Sequence, residues 1–158
     1  NAASAGASTI RKFAPAWLMT DGTIKSFSDP SKSYVAFDTT ISGNYYIVVR
    51  HRNHVAIMDS LPLQLDGSVT PVVYDFTTSQ SKAYGSNPMK FVGTKYAMYA
   101  GDATSNGQVQ TNDINTGIRP KLGQAGYLSG DANLNGQVQT NDINTFARPN
   151  LGKGTQVP

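Results

Sequence analysis

The chain spells one phrase twice. "GDATSNGQVQTNDINT" begins at Gly101 and "GDANLNGQVQTNDINT" at Gly130, and the copies differ only at Thr104/Asn133 and Ser105/Leu134. The offset is 29 residues, Asp102 to Asp131, so the C-terminal region is built from two units of supersecondary size. Any fold for this chain must place the same local structure twice.

Within each copy, side-chain oxygens recur at fixed positions. Counted from Asp102, position 1 is Asp102, 3 is Thr104, 5 is Asn106, 7 is Gln108 and 12 is Asp113, with Gly107 at 6. The second copy places Asp131, Asn133, Asn135, Gln137 and Asp142 at the same positions, with Gly136 at 6. Oxygens at 1, 3, 5 and 12 around a glycine at 6 form the calcium-loop pattern of an EF-hand. A hard cation of that size takes six to eight oxygens, and a tight loop turns alternate side chains inward. The glycine permits the sharp bend, and the position 7 carbonyl of Gln108 or Gln137 adds a backbone ligand. The expectation is two calcium ions, one per loop. Thr104 is a weaker position 3 ligand than Asn133, which ranks the second loop ahead of the first. Val109 and Val138 at position 8 are apolar and should let the loops meet through a short strand-like contact. Asp-x-Asn-x-Asn-Gly is also good turn chemistry without a metal. The complete register and the helix-like segment after each loop favour binding. With two carboxylates per loop the ion is drawn weakly, toward the 10⁻⁴ to 10⁻³ M range of extracellular modules. The calcium should therefore be structural.

The acidic composition points the same way. All ten acidic residues are Asp, a residue of caps, turns and metal loops, and Glu is absent. A net charge of +3 gives no nucleic-acid face, because the basic residues are scattered and the densest group is "RHR" at Arg50 to Arg52. No apolar run approaches the roughly 20 residues that span a bilayer, so membrane insertion is not expected. Cysteine is absent, which excludes disulfides, thiolate zinc sites and a cysteine nucleophile. The start at Asn1 and the run "NAASAGAS" read as a mature or excised piece of a longer precursor.

From Trp17 to Tyr99 the signals are those of strands. "AWLMT", "TIKSF", "YVAF", "YYIVVRHR", "VAIM", "LPLQL", "PVVYDF" and "KYAMYA" are short β-branched and aromatic runs. Turn signals separate them, including Asp21-Gly22 and Asp66-Gly67. The pattern predicts a mainly β fold: an antiparallel, Ig-like β-sandwich of about seven or eight strands over residues 1–100. A small module of two calcium loops and short helices follows over 101–158. "YYIVV" is apolar on both faces and suits a central strand, and Pro62 and Pro71 belong at strand starts or edges.

Asp at position 12, and two half-length units with only an exiting helix each, resemble a type I dockerin. "GDANLNGQVQTNDINTFARPNLGKGTQVP" is similar to dockerin-like C-terminal segments of large secreted and cell-surface proteins of Bacteroidota. "GNYYIVVRHRNHVAIM", "YDFTT" and "AYGSN" resemble the β-domain that precedes that segment. The resemblance covers about residues 15 to 158 and implies an extracellular, non-catalytic module of an exported cargo. Two departures matter. Cohesin-binding dockerins have longer helices, and their loop positions 10 and 11 help make the contact. Here those positions are Thr111, Asn112, Thr140 and Asn141, and Pro120 and Pro149 should stop each helix after about two turns, which counts against a cohesin-like partner. The duplicated "TNDINT" faces could still offer two equivalent docking surfaces. Relatives also have a strand upstream of "AWLMTDG", where this chain supplies only "STIRKF". A sandwich short of a strand leaves an edge that another chain can fill, a route to a homopolymer.

Other chemistry is thin. His51 and His54 in "RHRNH" are three apart, which on one strand puts them on opposite faces. The plain reading is a strand entering a turn, with Arg50, Arg52 and Asn53 tying down loop backbone. No G-x-S-x-G elbow or phosphate-cradling loop is present, and Asp59, Asp66 and Asp75 fall at strand ends, so no catalytic site is expected. Trp17 and the tyrosines could include a sugar-stacking platform, with Tyr84 the best exposed candidate. The sequence thus predicts a secreted or surface structural and adhesive module with a protein partner or itself as partner. A glycan-binding accessory domain is the alternative.

Overall fold

The computed structural model describes residues 12–37, 42–66 and 70–158. Eight short strands form in chain order: β1 Ala16–Leu18, β2 Ile24–Ser26, β3 Gly43–Tyr45, β4 Val48–His51, β5 His54–Met58, β6 Leu63–Leu65, β7 Lys90–Val92 and β8 Lys95–Ala97. They pair only in twos, all antiparallel: β1 with β2, β3 with β6, β4 with β5 and β7 with β8. The fold among the described residues is therefore mixed, with small antiparallel sheets and a few short helices. Among the described residues no sheet has a third strand, so these small sheets do not by themselves make the expected face-to-face sandwich.

The physical reasons are local. "YYIVV" does not run as one central strand: β3 ends at Tyr45 and β4 begins at Val48, and the two pieces take different partners. "YVAF" and "PVVYD" form no strand; instead Asp75 caps a 3-10 turn at Phe76–Thr78, its carboxylate accepting from Thr77 N–H at 2.8 Å. Pro62 immediately precedes β6, as expected, whereas Pro71 lies outside any strand. The Asp21-Gly22 turn closes β1–β2, with Gly22 at φ 85° and Asp21 accepting from Thr23 N–H at 2.9 Å. Gly67 and most of "STIRKF" lie outside the described residues.

Two compact units emerge, and their boundary is not at Ala100-Gly101. The first comprises residues 1–46, 62–74 and 158; the second comprises 47–61 and 75–157. The β4–β5 hairpin and β7–β8 thus share a unit with the repeats: β4–β5 through Val55 against Val109, and β7–β8 through Tyr96 against the Ile57 cluster. In the second unit Val55 and Tyr99 cluster with Val109, and Ile57 clusters with Ala83 and Met89. A third cluster joins the repeats themselves: Ala103, Ile114 and Ile118 of the first copy against Val138, Ile143 and Ala147 of the second. The described residues of the first unit form no comparable core. Ser26 is its one fully buried described residue, while Trp17, Leu18, Phe27 and Val73 stay exposed.

Candidate metal centre

Each loop folds around its two aspartates by backbone hydrogen bonding. Asp102 Oδ1 accepts from Asn106 N–H and Oδ2 from Gly107 N–H, both at 2.9 Å. Asp113 Oδ1 accepts from Thr104 N–H at 2.9 Å and Thr104 Oγ1 at 2.7 Å, and Oδ2 from Gln110 N–H at 2.6 Å. The second loop repeats this pattern: Asn135 and Gly136 N–H donate to Asp131 at 3.0 and 2.9 Å, and Asn133 and Gln139 N–H to Asp142 at 3.0 and 2.7 Å. Position 12 thus reaches back to the position 9 N–H, a capping-box arrangement that starts the following helix. The Asn106 and Asn135 side chains accept from the Gln108 and Gln137 N–H groups at 3.0 and 2.9 Å. Gly107 and Gly136 both have φ of 87°, the left-handed conformation that the bend requires.

The loops do not meet through position 8. Each pairs with the segment that follows the other copy's helix. Gly152 N–H donates to Val109 O and Gly123 N–H to Val138 O, both at 2.9 Å; Val109 N–H donates to Lys153 O at 2.7 Å and Val138 N–H to Gln124 O at 2.9 Å. Thr155 N–H to Gly107 O and Gly126 N–H to Gly136 O complete the set, at 2.7 and 2.9 Å. The exchange is reciprocal, and it explains why Val109 and Val138 are buried in different clusters. It also turns the Gly107 and Val109 carbonyls toward the pairing segment, so that of Gln108 between them points the other way. That is the position from which a backbone ligand acts.

The helices run from Asp113–Ile118 and Asp142–Ala147 as wide i→i+5 turns, each closing in a 3-10 turn at Arg119–Lys121 or Arg148–Asn150. Pro120 and Pro149 sit inside those closing turns, so each helix runs one residue past its proline. Thr111, Asn112, Thr140 and Asn141 line two matching shallow grooves beside Leu151 and Leu122.

The donor chemistry fits calcium. Asp102, Asp113, Asp131 and Asp142 are all buried, at 4%, 0%, 2% and 0% exposure. Among the described residues no three His, Cys, Asp or Glu groups converge. Each loop offers two buried carboxylates, and the other oxygens at its ligand positions are those of Thr, Asn and backbone, a set for a hard cation rather than a transition metal. Burial pushes the Asp102 carboxyl up, hydrogen bonds from Gly107 and Asn106 pull it down, and the neighbouring Asp113 charge raises it further. A cation held between them would relieve that repulsion. Comparison with protein-family models, curated proteins and solved structures finds no match.

"RHRNH" is a strand entering a turn, as expected, but its two histidines do not lie on opposite faces of one strand. Arg52 and Asn53 form a two-residue turn between β4 and β5, and His51 pairs across it with His54. A register shift between Val49 and His51 brings the rings together, with Nδ1 atoms 3.1 Å apart. Arg52 and Asn53 do tie down loop backbone: Arg52 Nε donates to Leu128 O at 3.3 Å, and Asn53 Nδ2 to Ser129 O and Asp131 O at 3.0 and 2.7 Å. Sequence reasoning missed that this turn rests on the second loop, because sequence separation near 76 residues hides the contact. Tyr84 is half-buried rather than exposed, and Trp17 stacks on Phe27, centroids 5.1 Å apart.

Proposed function

We propose that this chain is a non-catalytic extracellular module in which two calcium ions hold the second unit folded and the first unit associates with another polypeptide. The observation that carries the association is that the first unit closes no apolar core from its own described residues. Small sheets with open edges and exposed Trp17, Leu18 and Phe27 gain most by accepting a further strand. Strand addition by a second copy would complete an Ig-like sandwich and propagate as a homopolymer. The calcium role is supported by the buried aspartates at positions 1 and 12 of each twelve-residue loop. Two carboxylates per loop suit the millimolar calcium of an exterior compartment, which supports reading the module as secreted or exposed at a cell surface.

The test is molar mass by size exclusion with light scattering, in about 5 mM calcium and again in chelator. Species larger than 16.9 kDa in calcium that dissociate in chelator are the expected result. A compact monomer under both conditions removes self-assembly, and unchanged thermal stability between them removes the metal.

A further inference from the structure

The four loop aspartates are not equivalent. Among the described residues only Asp131 has a cationic side chain beside it, the Arg52 guanidinium 3.7 Å from Asp131 Oδ2, with side-chain exposures of 19% and 2%. That charge is held in place. Arg52 Nε donates to Leu128 O at 3.3 Å, and the guanidinium lies over the Tyr127 ring, 3.8 Å from its centroid. The turn itself is anchored on both repeats. Arg52 O accepts from Ser105 Oγ of the first loop at 2.6 Å, and Asn53 Nδ2 donates to Asp131 O at 2.7 Å.

We infer that Arg52 sets the calcium affinity of the second loop, acting as a resident counter-cation to Asp131 that makes this loop the weaker site. The inference rests on the reading of the loops as calcium sites. A guanidinium that can swing into water costs an incoming cation little. One fixed by a ring, a carbonyl and its own backbone cannot retreat, so its repulsion persists when calcium is bound, in surroundings where charges a few ångströms apart are incompletely screened. The exchange of Asn133 for Thr104 acts in the opposite sense, but it swaps one neutral oxygen for another, and a fixed full charge outweighs it. The order of filling is therefore first loop, then second, the reverse of what the donor sets alone suggest. Without calcium the same arginine offsets the Asp131 charge, whereas Asp102 and Asp113 face only each other. The first loop is then the one that depends on the ion.

The experiment is a calcium titration of the full chain followed by the amide protons of Gly107 and Gly136. These N–H groups donate to Asp102 Oδ2 and Asp131 Oδ2 and so report each loop separately. Gly107 should reach half-saturation at about tenfold lower calcium than Gly136. Arg52→Gln should lower the Gly136 midpoint by about tenfold and leave that of Gly107 nearly in place, while Arg52→Lys keeps the order. Tyr127→Leu removes only the ring that pins the guanidinium; it should shift Gly136 the same way by a smaller factor, and it decides the matter if Arg52→Gln does not fold. Coincident or reversed midpoints in the unmodified chain, or a Gly136 midpoint that the variants leave unmoved, overturn the role of Arg52 but not the calcium sites. Silence of both glycines in about 10 mM calcium overturns both.

Discussion

Leu134 holds φ at 62° in the position where the first copy has Ser105 at 56°. The left-handed region costs a side chain with a Cβ about 1–2 kcal/mol, and Asn tolerates it best among non-glycine residues. Leu134 is 42% exposed, so its replacement gives up little burial. Leu134→Asn should therefore stabilise the chain by about 0.5–1 kcal/mol, read from urea denaturation in calcium; no gain would show that the loop relieves the strain another way. Two titratable groups, buried Asp59 and half-buried His54, oppose each other as pH falls. Burial pushes Asp59 up to about 6, with Oδ1 accepting from Ile47 N–H at 3.0 Å and Oδ2 lacking a partner among the described residues. Burial pushes His54 down to about 3, and the His51 and Arg52 charges add to it. Between about pH 4 and 6 the folded state binds the Asp59 proton that the unfolded chain releases, so this group favours folding at lower pH. Over the same range the unfolded chain binds the His54 proton that the folded state refuses, so that group favours folding at higher pH. Each contributes a slope of about 1.4 kcal/mol per pH unit, and the two nearly cancel. Asp59→Asn should expose the histidine term: relative to the unmodified chain, the variant loses about 2 kcal/mol on acidification from pH 6 to 4.5. Parallel stability curves for the two proteins would show that Asp59 titrates normally.

The exchanged pairing makes the last segment of the chain part of the first loop. Residues 153–157 provide the Lys153 carbonyl for Val109, the Thr155 N–H for Gly107 and the Thr155 hydroxyl for Ala56 O at 3.0 Å. The Gln156 amide pairs with the backbone of Ser86 in both directions, at 2.6 and 2.7 Å. At about 1 kcal/mol for each of these bonds, deleting residues 153–158 should cost about 3–5 kcal/mol. Hydrogen exchange at Val109 should lose protection while Val138, whose partner Gln124 is untouched, keeps it; equal loss at both would mean that the repeats unfold only together. This arrangement shows what the sequence could and could not reveal. The turn chemistry of the loops was legible because it is a local property: Asp102 through Asp113 close into one hydrogen-bonded turn. Which segment pairs with Val109 was not legible, since apolar residues in both copies satisfy either a loop-to-loop or an exchanged contact. Of the expected strands "AWLMT", "TIKSF", "VAIM", "LPLQL" and "KYAMYA" form; "YYIVVRHR" splits into β3 and β4, "YVAF" and "PVVYD" form none, and β7 was missed because its "KFV" lies close to a polar loop. The assembly of the strands was not legible, because period-two apolar runs specify a strand but not its neighbour. The turn in "RHRNH" was legible as a strand entering a turn, but the pairing of His51 with His54 across it was not, because nothing in the five letters fixes the turn at two residues.

The first unit ties association to a single optical probe. Trp17 is the chain's one tryptophan, it lies on β1, and it is 47% exposed beside Phe27 at 52%. An indole in that setting emits as a wet chromophore, and addition of a strand along the β1–β2 ribbon would cover it. If the unit assembles with copies of itself, the emission should move to shorter wavelength as protein concentration rises in calcium, in step with the scattered mass. Replacing Leu18 by Lys, at 45% exposure, puts a charge on the ribbon and should weaken both changes together without affecting the glycine amides of the calcium loops. Assembly that leaves the Trp17 emission unchanged would move the contact away from this hairpin, to the grooves beside Leu122 and Leu151 among other surfaces. Emission and mass that both stay constant up to about 100 μM, well within the range where weak standard-size interfaces form, would leave the first unit without a copy of itself as partner. The exposed apolar ribbon would then call for a different chain, and the same blue shift becomes the assay by which that partner is recognised.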